Sequence, residues 1–166
     1  PEYEDQQRKG LWIELSQTQP HKRTVGIMGL GSLGASCAKS LVGLGFDVVG
    51  WSRRKKSISN VGSFYGDAGL DLFLAQSEIL VCLLPLTDDT RGILNEENMH
   101  KLPVGAFIVN AARGGHLVEQ DLLALLETQH IEGAALDVFE TEPLPTENLL
   151  WSHPKVTVTP HVAALV

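Results

Sequence analysis

Six short runs of nearly continuous apolar residues, separated by longer amphipathic stretches, constrain this chain more than any other feature. The runs are Thr24–Met28, Asp47–Trp51, Ile79–Leu83, Ala106–Asn110, Gly133–Asp137 and Val156–Thr159. Continuous rather than alternating apolarity marks strands covered on both faces, as in parallel sheets. The stretches Leu33–Leu44, Leu70–Gln76, Glu96–Lys101 and Glu119–Thr128 read as helices. In the last of these Leu122, Leu125 and Leu126 fall at i, i+3 and i+4, one apolar stripe. Glu119 and Asp121 occupy its first turn, where the helix dipole favours negative charge. Glycine and proline in Gly43–Gly45 and Lys101–Gly105 end helices. Strand and helix alternating in this way predict an α/β fold, a doubly wound parallel sheet with right-handed crossovers and helices on both faces.

Residues 1–23 differ from the rest. A polar, charge-rich start with no aliphatic side chain gives way to the cluster Leu11, Trp12, Ile13 and Leu15, then to a polar stretch holding Pro20. They read as an N-terminal arm and linker, helical or extended, ahead of a single domain at 24–161. The 166 residues suffice for one domain with a sizeable core. Thirteen basic against twenty acidic residues leave a formal charge of -7. That balance argues against nucleic-acid or membrane-surface binding, since both need a basic field. No apolar run approaches the roughly 20 residues that span a bilayer, and the polar first ten residues show no signal peptide. Two cysteines, Cys37 and Cys82, make neither a disulfide framework nor a four-ligand zinc site. No metal is expected, and a soluble, cytoplasmic domain is.

Gly29-Leu30-Gly31-Ser32-Leu33-Gly34 follows the first apolar run and opens the first helix. Gly29 suits the tight turn, Gly31 lets backbone approach a pyrophosphate, and Gly34 permits close helix–strand contact. Free N–H groups at the helix start complete an anion site. An ordinary strand-to-helix turn is the alternative, but strand before, helix after and a second strand at Asp47–Trp51 favour a Rossmann-type dinucleotide loop. Such units that take NAD place Asp or Glu about 20 residues beyond the loop. Here the second strand leads instead into Trp51-Ser52-Arg53-Arg54-Lys55-Lys56, and Asp47 lies at the strand's wrong end. A hydroxyl and a cationic run suit a 2′-phosphate, so NADP(H) is expected over NAD(H).

Three later segments place polar residues just past apolar runs, where ligands bind in such sheets. They are Val109-Asn110-Ala111-Ala112-Arg113-Gly114-Gly115, Ala135-Leu136-Asp137 through Glu142-Pro143-Leu144-Pro145, and Val158-Thr159-Pro160-His161-Val162-Ala163-Ala164. Singly, Arg113, Glu142 and His161 have ordinary surface explanations. Together they supply a cation for a carboxylate, an acid–base imidazole and a carboxylate to orient it.

With these residues the chain resembles the coenzyme-binding domain of the D-isomer-specific 2-hydroxyacid dehydrogenases, most closely the glyoxylate/hydroxypyruvate reductase branch. The resemblance runs from Thr24 to Val166, with Leu11-Trp12 similar to that branch's lead-in segment. It implies reduction of a small 2-oxo acid to a D-2-hydroxy acid by hydride from a nicotinamide. Arg113 would grip the substrate carboxylate and carbonyl, His161 would protonate the carbonyl oxygen, and Glu142 would hold His161 protonated. Asp137 resembles the residue that bonds the nicotinamide carboxamide. Leu84-Pro85, Thr90, Asn110, Ala111 and Ala112 resemble segments lining the ribose and nicotinamide, and Ala163 falls in the matching loop after His161. The family builds its substrate domain from both chain ends, so 162–166 would begin a C-terminal return segment whose continuation, like the N-terminal half, is absent. The family also implies a homodimer through this domain. A nucleotide-sensing module of corepressor type shares the fold and is the alternative; Arg113, Glu142 and His161 together favour the enzyme.

The remaining reactive residues read as structural. Cys37 and Cys82 are expected to be buried small hydrophobes. His21, His100, His116, His130 and His153 are expected on the surface or in turns. Trp51 suits either a strand end or an adenine contact, and Trp151 a loop anchor or a subunit contact.

Overall fold

A computed structural model describes residues 2–16 and 18–163. The arm holds helix α1 (Glu2–Lys9) and reaches β1 (Thr24–Met28) through a 3-10 turn at Pro20–Lys22. Then come α2 (Ser32–Gly43), β2 (Asp47–Ser52), β3 (Gly62–Tyr65), α3 (Gly66–Leu74) and β4 (Ile79–Cys82). The second half contributes α4 (Glu96–Met99), β5 (Ala106–Asn110), α5 (Glu119–Glu127), β6 (Ile131–Leu136) and β7 (Val156–Val158). Among the described residues the sheet has seven strands in the order β3-β2-β1-β4-β5-β6-β7, every neighbouring pair parallel. The chain winds outward from β1 to β3, then returns past β1 to β4 and proceeds the other way. Loops leaving β1 and β4 therefore part from each other and open a crevice at the carboxyl ends of the strands.

Alternation along each strand divides the core between two clusters. Leu80 and Cys82 join a large cluster with Phe73, Met99, Ile108, Leu122 and Leu126. Their neighbours Ile79 and Val81 join a smaller one with Val25, Ile27, Ala38 and Val48. Leu122, Leu125 and Leu126 of α5 are all buried, and fully burying such side chains contributes roughly 1.5–3 kcal/mol each.

The structure departs from the sequence expectation at several ends. The strand β3 was not expected, because an edge strand of four mostly exposed residues needs no apolar run. The β6 strand starts at Ile131 and ends at Leu136, which leaves Asp137 just beyond it. Helix α3 begins at Gly66 rather than Leu70, where the Trp51 indole N–H donates to the Gly66 carbonyl at 2.9 Å. Helix α4 is only four residues long; Asn95 Oδ1 accepts from the Asn98 amide and Asp121 Oδ2 from the Glu96 amide. Cys82 is buried, which pushes its thiol up to about 11 against an opposing hydrogen bond to the Leu84 backbone. Cys37 is half-buried, not fully buried as expected, and packs at the margin of the smaller cluster. Of the expected return segment 162–166, residues 164–166 lie outside those described.

Candidate active site

The glycine loop sits at the crevice. Gly29 has φ +110°, and a Cβ there would lie 2.8 Å from the Leu83 carbonyl oxygen on the neighbouring loop. Its amide donates to the Trp51 carbonyl at 2.8 Å, tying the loop to the end of β2. A Cβ on Gly34 would fall 1.8 Å from the Gly29 carbonyl oxygen, whereas one on Gly31 would meet nothing within 4 Å. The loop is thus closed on the Gly34 side and open on the Gly31 side. Gly31 also caps α2, so the helix's first amides open toward that space. Leu30 is buried and packs over Gly50, while Ser32 and Leu33 are exposed. An open glycine, a helix N-terminus and no carboxylate in the loop fit a pyrophosphate.

The β1–β2 register pairs Thr24 with Asp47 and Met28 with Trp51. Ser52 to Lys56 therefore lie beside the glycine loop and Asp47 at the opposite end of the sheet. Trp51 is buried, its indole N–H committed to Gly66. Ser52 Oγ donates to the Arg54 carbonyl at 2.7 Å, and Arg53 and Arg54 are exposed. The fold adds Asp89, whose Oδ2 lies 3.6 Å from Arg53 Nη1. Both side chains are more than three-quarters exposed, so the pair contributes at most about 1 kcal/mol and leaves Arg53 free to change partner. No spacing rule could have linked these two residues.

On the other wall, the loop after β4 is folded on Thr90, whose hydroxyl donates to the Pro85 carbonyl at 2.8 Å and accepts from the Thr87 amide at 2.8 Å. Leu84 is buried beneath it and Pro85 exposed. After β5, Asn110 is fully buried; its Oδ1 accepts from the Ala112 amide at 3.2 Å. Ala111 is half-buried and Ala112 buried, and the Arg113 side chain emerges exposed, its Nη1 donating to the Ala112 carbonyl at 2.6 Å. Gly114 explains how this loop meets the next one. A Cβ on it would fall 1.8 Å from the Phe139 carbonyl carbon, so only glycine lets the two backbones touch.

Glu142 and His161 are bonded. Glu142 Oε1 accepts from the Phe139 amide at 2.9 Å, and Oε2 lies 2.8 Å from His161 Nδ1. The His161 bond first, then the Phe139 amide, hold the Glu142 carboxyl below the usual range against its burial; the charges of His161 and Arg113 add to this. His161 itself has φ +54°, a left-handed conformation that non-glycine residues adopt at a cost of order 1–3 kcal/mol. Asp137 maintains it. The Asp137 carbonyl accepts from the His161 amide at 2.8 Å. The Asp137 carboxylate accepts from the Thr159 hydroxyl, the Val162 amide and the Ala163 amide. Burial pushes the Asp137 carboxyl up, but these three bonds and the nearby His161 outweigh it and the net direction is down. Ala163 thus enters through its backbone, and Asp137 works inside the chain as a latch on the His161 loop. Sequence reasoning missed that role because the three donors follow Asp137 by more than twenty residues.

His116 lies in a turn, one of the two placements expected of it, the 3-10 turn Gly114–His116, but its side chain is fully buried and not on the surface. The turn is zipped to the loop before α4, Gly92 N donating to Gly115 O at 2.8 Å and Leu94 N to His116 O at 2.9 Å. Among the described residues no group of three or more His, Cys, Asp or Glu is arranged to hold a metal. No helix among them is long and apolar enough to cross a membrane.

The two lowered carboxyls set an acid limit. A carboxyl lowered in the folded state contributes stability that is present above its ordinary value, near pH 4, and is lost as pH falls through the folded value. Thermal melts from pH 6 down should show the apparent Tm falling from about pH 4 downward, and the fall should be shallower in Asp137→Asn. An acid limb identical in that variant would mean that the latch carries no linkage.

A glycine loop, with Arg113, Glu142 and His161 on the loops beyond it, thus stands at the carboxyl edge of a doubly wound parallel sheet, the architecture of a dinucleotide-binding domain. Residues 1–163 match the family model described as D-isomer specific 2-hydroxyacid dehydrogenase, NAD binding domain. A D-isomer specific 2-hydroxyacid dehydrogenase from Xanthobacter autotrophicus Py2, solved with NADPH and MES, superposes with a TM-score of 0.97 at 46% identity, over 99% of this chain and 68% of its own. The NADPH-dependent glyoxylate/hydroxypyruvate reductase of Sinorhizobium meliloti, solved with NADP and sulfate, gives 0.93 at 47% identity, over 97% and 52%. A probable 2-hydroxyacid dehydrogenase from Rhizobium etli CFN 42, solved with NADP, HEPES and L(+)-tartaric acid, gives 0.93 at 40%, over 96% and 52%. This chain belongs to the D-isomer-specific 2-hydroxyacid dehydrogenases, as their NAD(P)-binding domain. It spans 52% to 68% of the length of those three structures.

Proposed function

We propose that this chain is the NADP(H)-binding, catalytic-residue-bearing half of a reductase that converts a small 2-oxo acid of glyoxylate or hydroxypyruvate type to the D-2-hydroxy acid. The 2.8 Å bond between His161 Nδ1 and Glu142 Oε2 carries the reading. It leaves the far ring nitrogen, Nε2, as the one able to meet a carbonyl oxygen, and His161 is exposed enough to do so. When bound, the nicotinamide cofactor supplies hydride chemistry. Arg113, a planar fork matched to a carboxylate, holds and orients the 2-oxo acid. His161 delivers the proton to the carbonyl oxygen, and Glu142 fixes the ring's orientation and tautomer. The same reading divides the chain into an arm at 1–23, the coenzyme domain at 24–161 and the start of a return segment. It makes the protein a cytoplasmic homodimer through this domain; the exposed Leu11, Trp12 and Ile13 support a partner on the arm.

Ser52 and Arg53 at the end of β2 support NADP(H) over NAD(H), as does the presence of NADP or NADPH in the similar structures. Side-by-side fluorescence titrations test this. NADPH should bind more tightly than NADH, and Arg53→Asp should weaken NADPH about tenfold or more while leaving NADH nearly unchanged, as expected for loss of a charge-assisted phosphate contact. Equal loss for both cofactors would remove Arg53 from the choice.

A further inference from the structure

The buried imidazole of His116 has no part in the reading above, yet it sits directly behind Arg113. Its Nδ1 lies 3.0 Å from the Arg113 carbonyl oxygen. The same oxygen accepts from Asn110 Nδ2 at 3.1 Å and from the His116 amide at 3.2 Å. A carbonyl only accepts, so Nδ1 carries a hydrogen, and in the neutral ring Nε2 then carries the lone pair. Nε2 has no hydrogen-bond partner among the described residues and is fully buried. Burying an unpaired ring nitrogen is unfavourable. A leucine would occupy the space without that cost, so the single bond from Nδ1 is what the ring contributes.

Two features make that bond matter. Arg113 has a long, exposed side chain whose direction depends on where its backbone is held. Its backbone is extended, at φ -146° and ψ 148°, between β5 and the tight Gly114–His116 turn. We infer that His116 is a positioning residue which, with Asn110, clamps the Arg113 main-chain carbonyl and so sets the aim of the guanidinium at the substrate carboxylate. The inference deepens the proposed function and rests on Arg113 being the carboxylate-binding residue. Small displacements of such a group cost binding and rate out of proportion to their size.

The test has one readout independent of substrate and one that depends on it. Nitrogen-15 NMR of the wild-type chain should show His116 as the Nδ1–H tautomer; an Nε2–H tautomer would overturn the clamp. In the full-length protein loaded with NADPH, oxamate serves as a planar carboxylate probe. His116→Leu should weaken oxamate about tenfold, the scale of one lost hydrogen bond, with NADPH affinity within about twofold of wild type. His116→Asn, whose side-chain amide can stand where Nδ1 stands, should restore most of the loss. Wild-type oxamate affinity in His116→Leu, or no rescue by asparagine, would overturn the proposal. Arg113→Ala separates the two readings. If it loses oxamate while His116→Leu does not, the clamp alone fails. If it keeps oxamate, Arg113 is not the carboxylate grip, and the positioning role falls with that reading.

Discussion

Replacing His161 by asparagine should cut turnover by about a hundredfold to ten-thousandfold, the usual contribution of a general acid, while leaving NADPH affinity almost unchanged. Asparagine is the informative substitution because His161 has φ +54°. Alanine at that angle adds backbone strain, so His161→Ala would confound a lost proton donor with a displaced loop. Asparagine tolerates the left-handed region, and its amide can still donate to Glu142. The latch from Asp137 to the Val162 and Ala163 amides is untouched by either change. The check is steady-state reduction of glyoxylate by the full-length protein together with a cofactor titration. Turnover within a few fold of wild type in His161→Asn would exclude His161 as the proton donor.

The glycine loop gives the second large effect, and a contrast between neighbours makes it specific. A Cβ on Gly34 would fall 1.8 Å from the Gly29 carbonyl oxygen and 3.3 Å from Ile27 Cγ2. The nearer atom is backbone and cannot swing aside, so Gly34→Ala must push α2 away from β1. Overpacking of this kind costs about 1–3 kcal/mol, a fall in Tm of about 2–12 °C for a domain of this size, and cofactor binding should be lost with the loop. A Cβ on Gly31 meets nothing within 4 Å. Gly31→Ala should therefore keep the wild-type melting temperature yet weaken NADPH severely, because its methyl enters the space where the pyrophosphate would approach. Equal melting behaviour in the two variants would contradict the closed-and-open geometry; undiminished NADPH affinity in Gly31→Ala would contradict the location of the pyrophosphate.

Strand interiors were the most legible part of the chain. β1 and β5 begin and end where their apolar runs do; β1 is buried from Val25 to Met28, whereas β5 buries Ala106, Ile108 and Asn110 and leaves Phe107 exposed on its other face. The glycine loop was legible because its function is carried by backbone and only particular residues permit it. β3 escaped notice because an edge strand is defined by its hydrogen bonds to β2, not by burial. The start of α3 escaped because the Trp51 indole reaches Gly66 from another element.

For the site, residue type and spacing along the chain identified Arg113, Glu142 and His161 as chemically complementary, and located the cationic turn Ser52–Lys56 after the second strand. These inferences need only local chemistry: which side chains donate, accept or carry charge, and which backbone can turn. The tertiary structure alone decided the long-range partners. It put Asp89 against Arg53, turned Asp137 into the latch of the His161 loop, and buried His116 behind the Arg113 carbonyl. The first two contacts join loops from different strand ends, and their direction depends on how the parallel strands register and twist; the third is local, three residues apart in the loop after β5, and only the packing of that turn against the loop before α4 buries it. Linear sequence specifies the donors and acceptors, but which of them meet is set by the sheet that carries the loops.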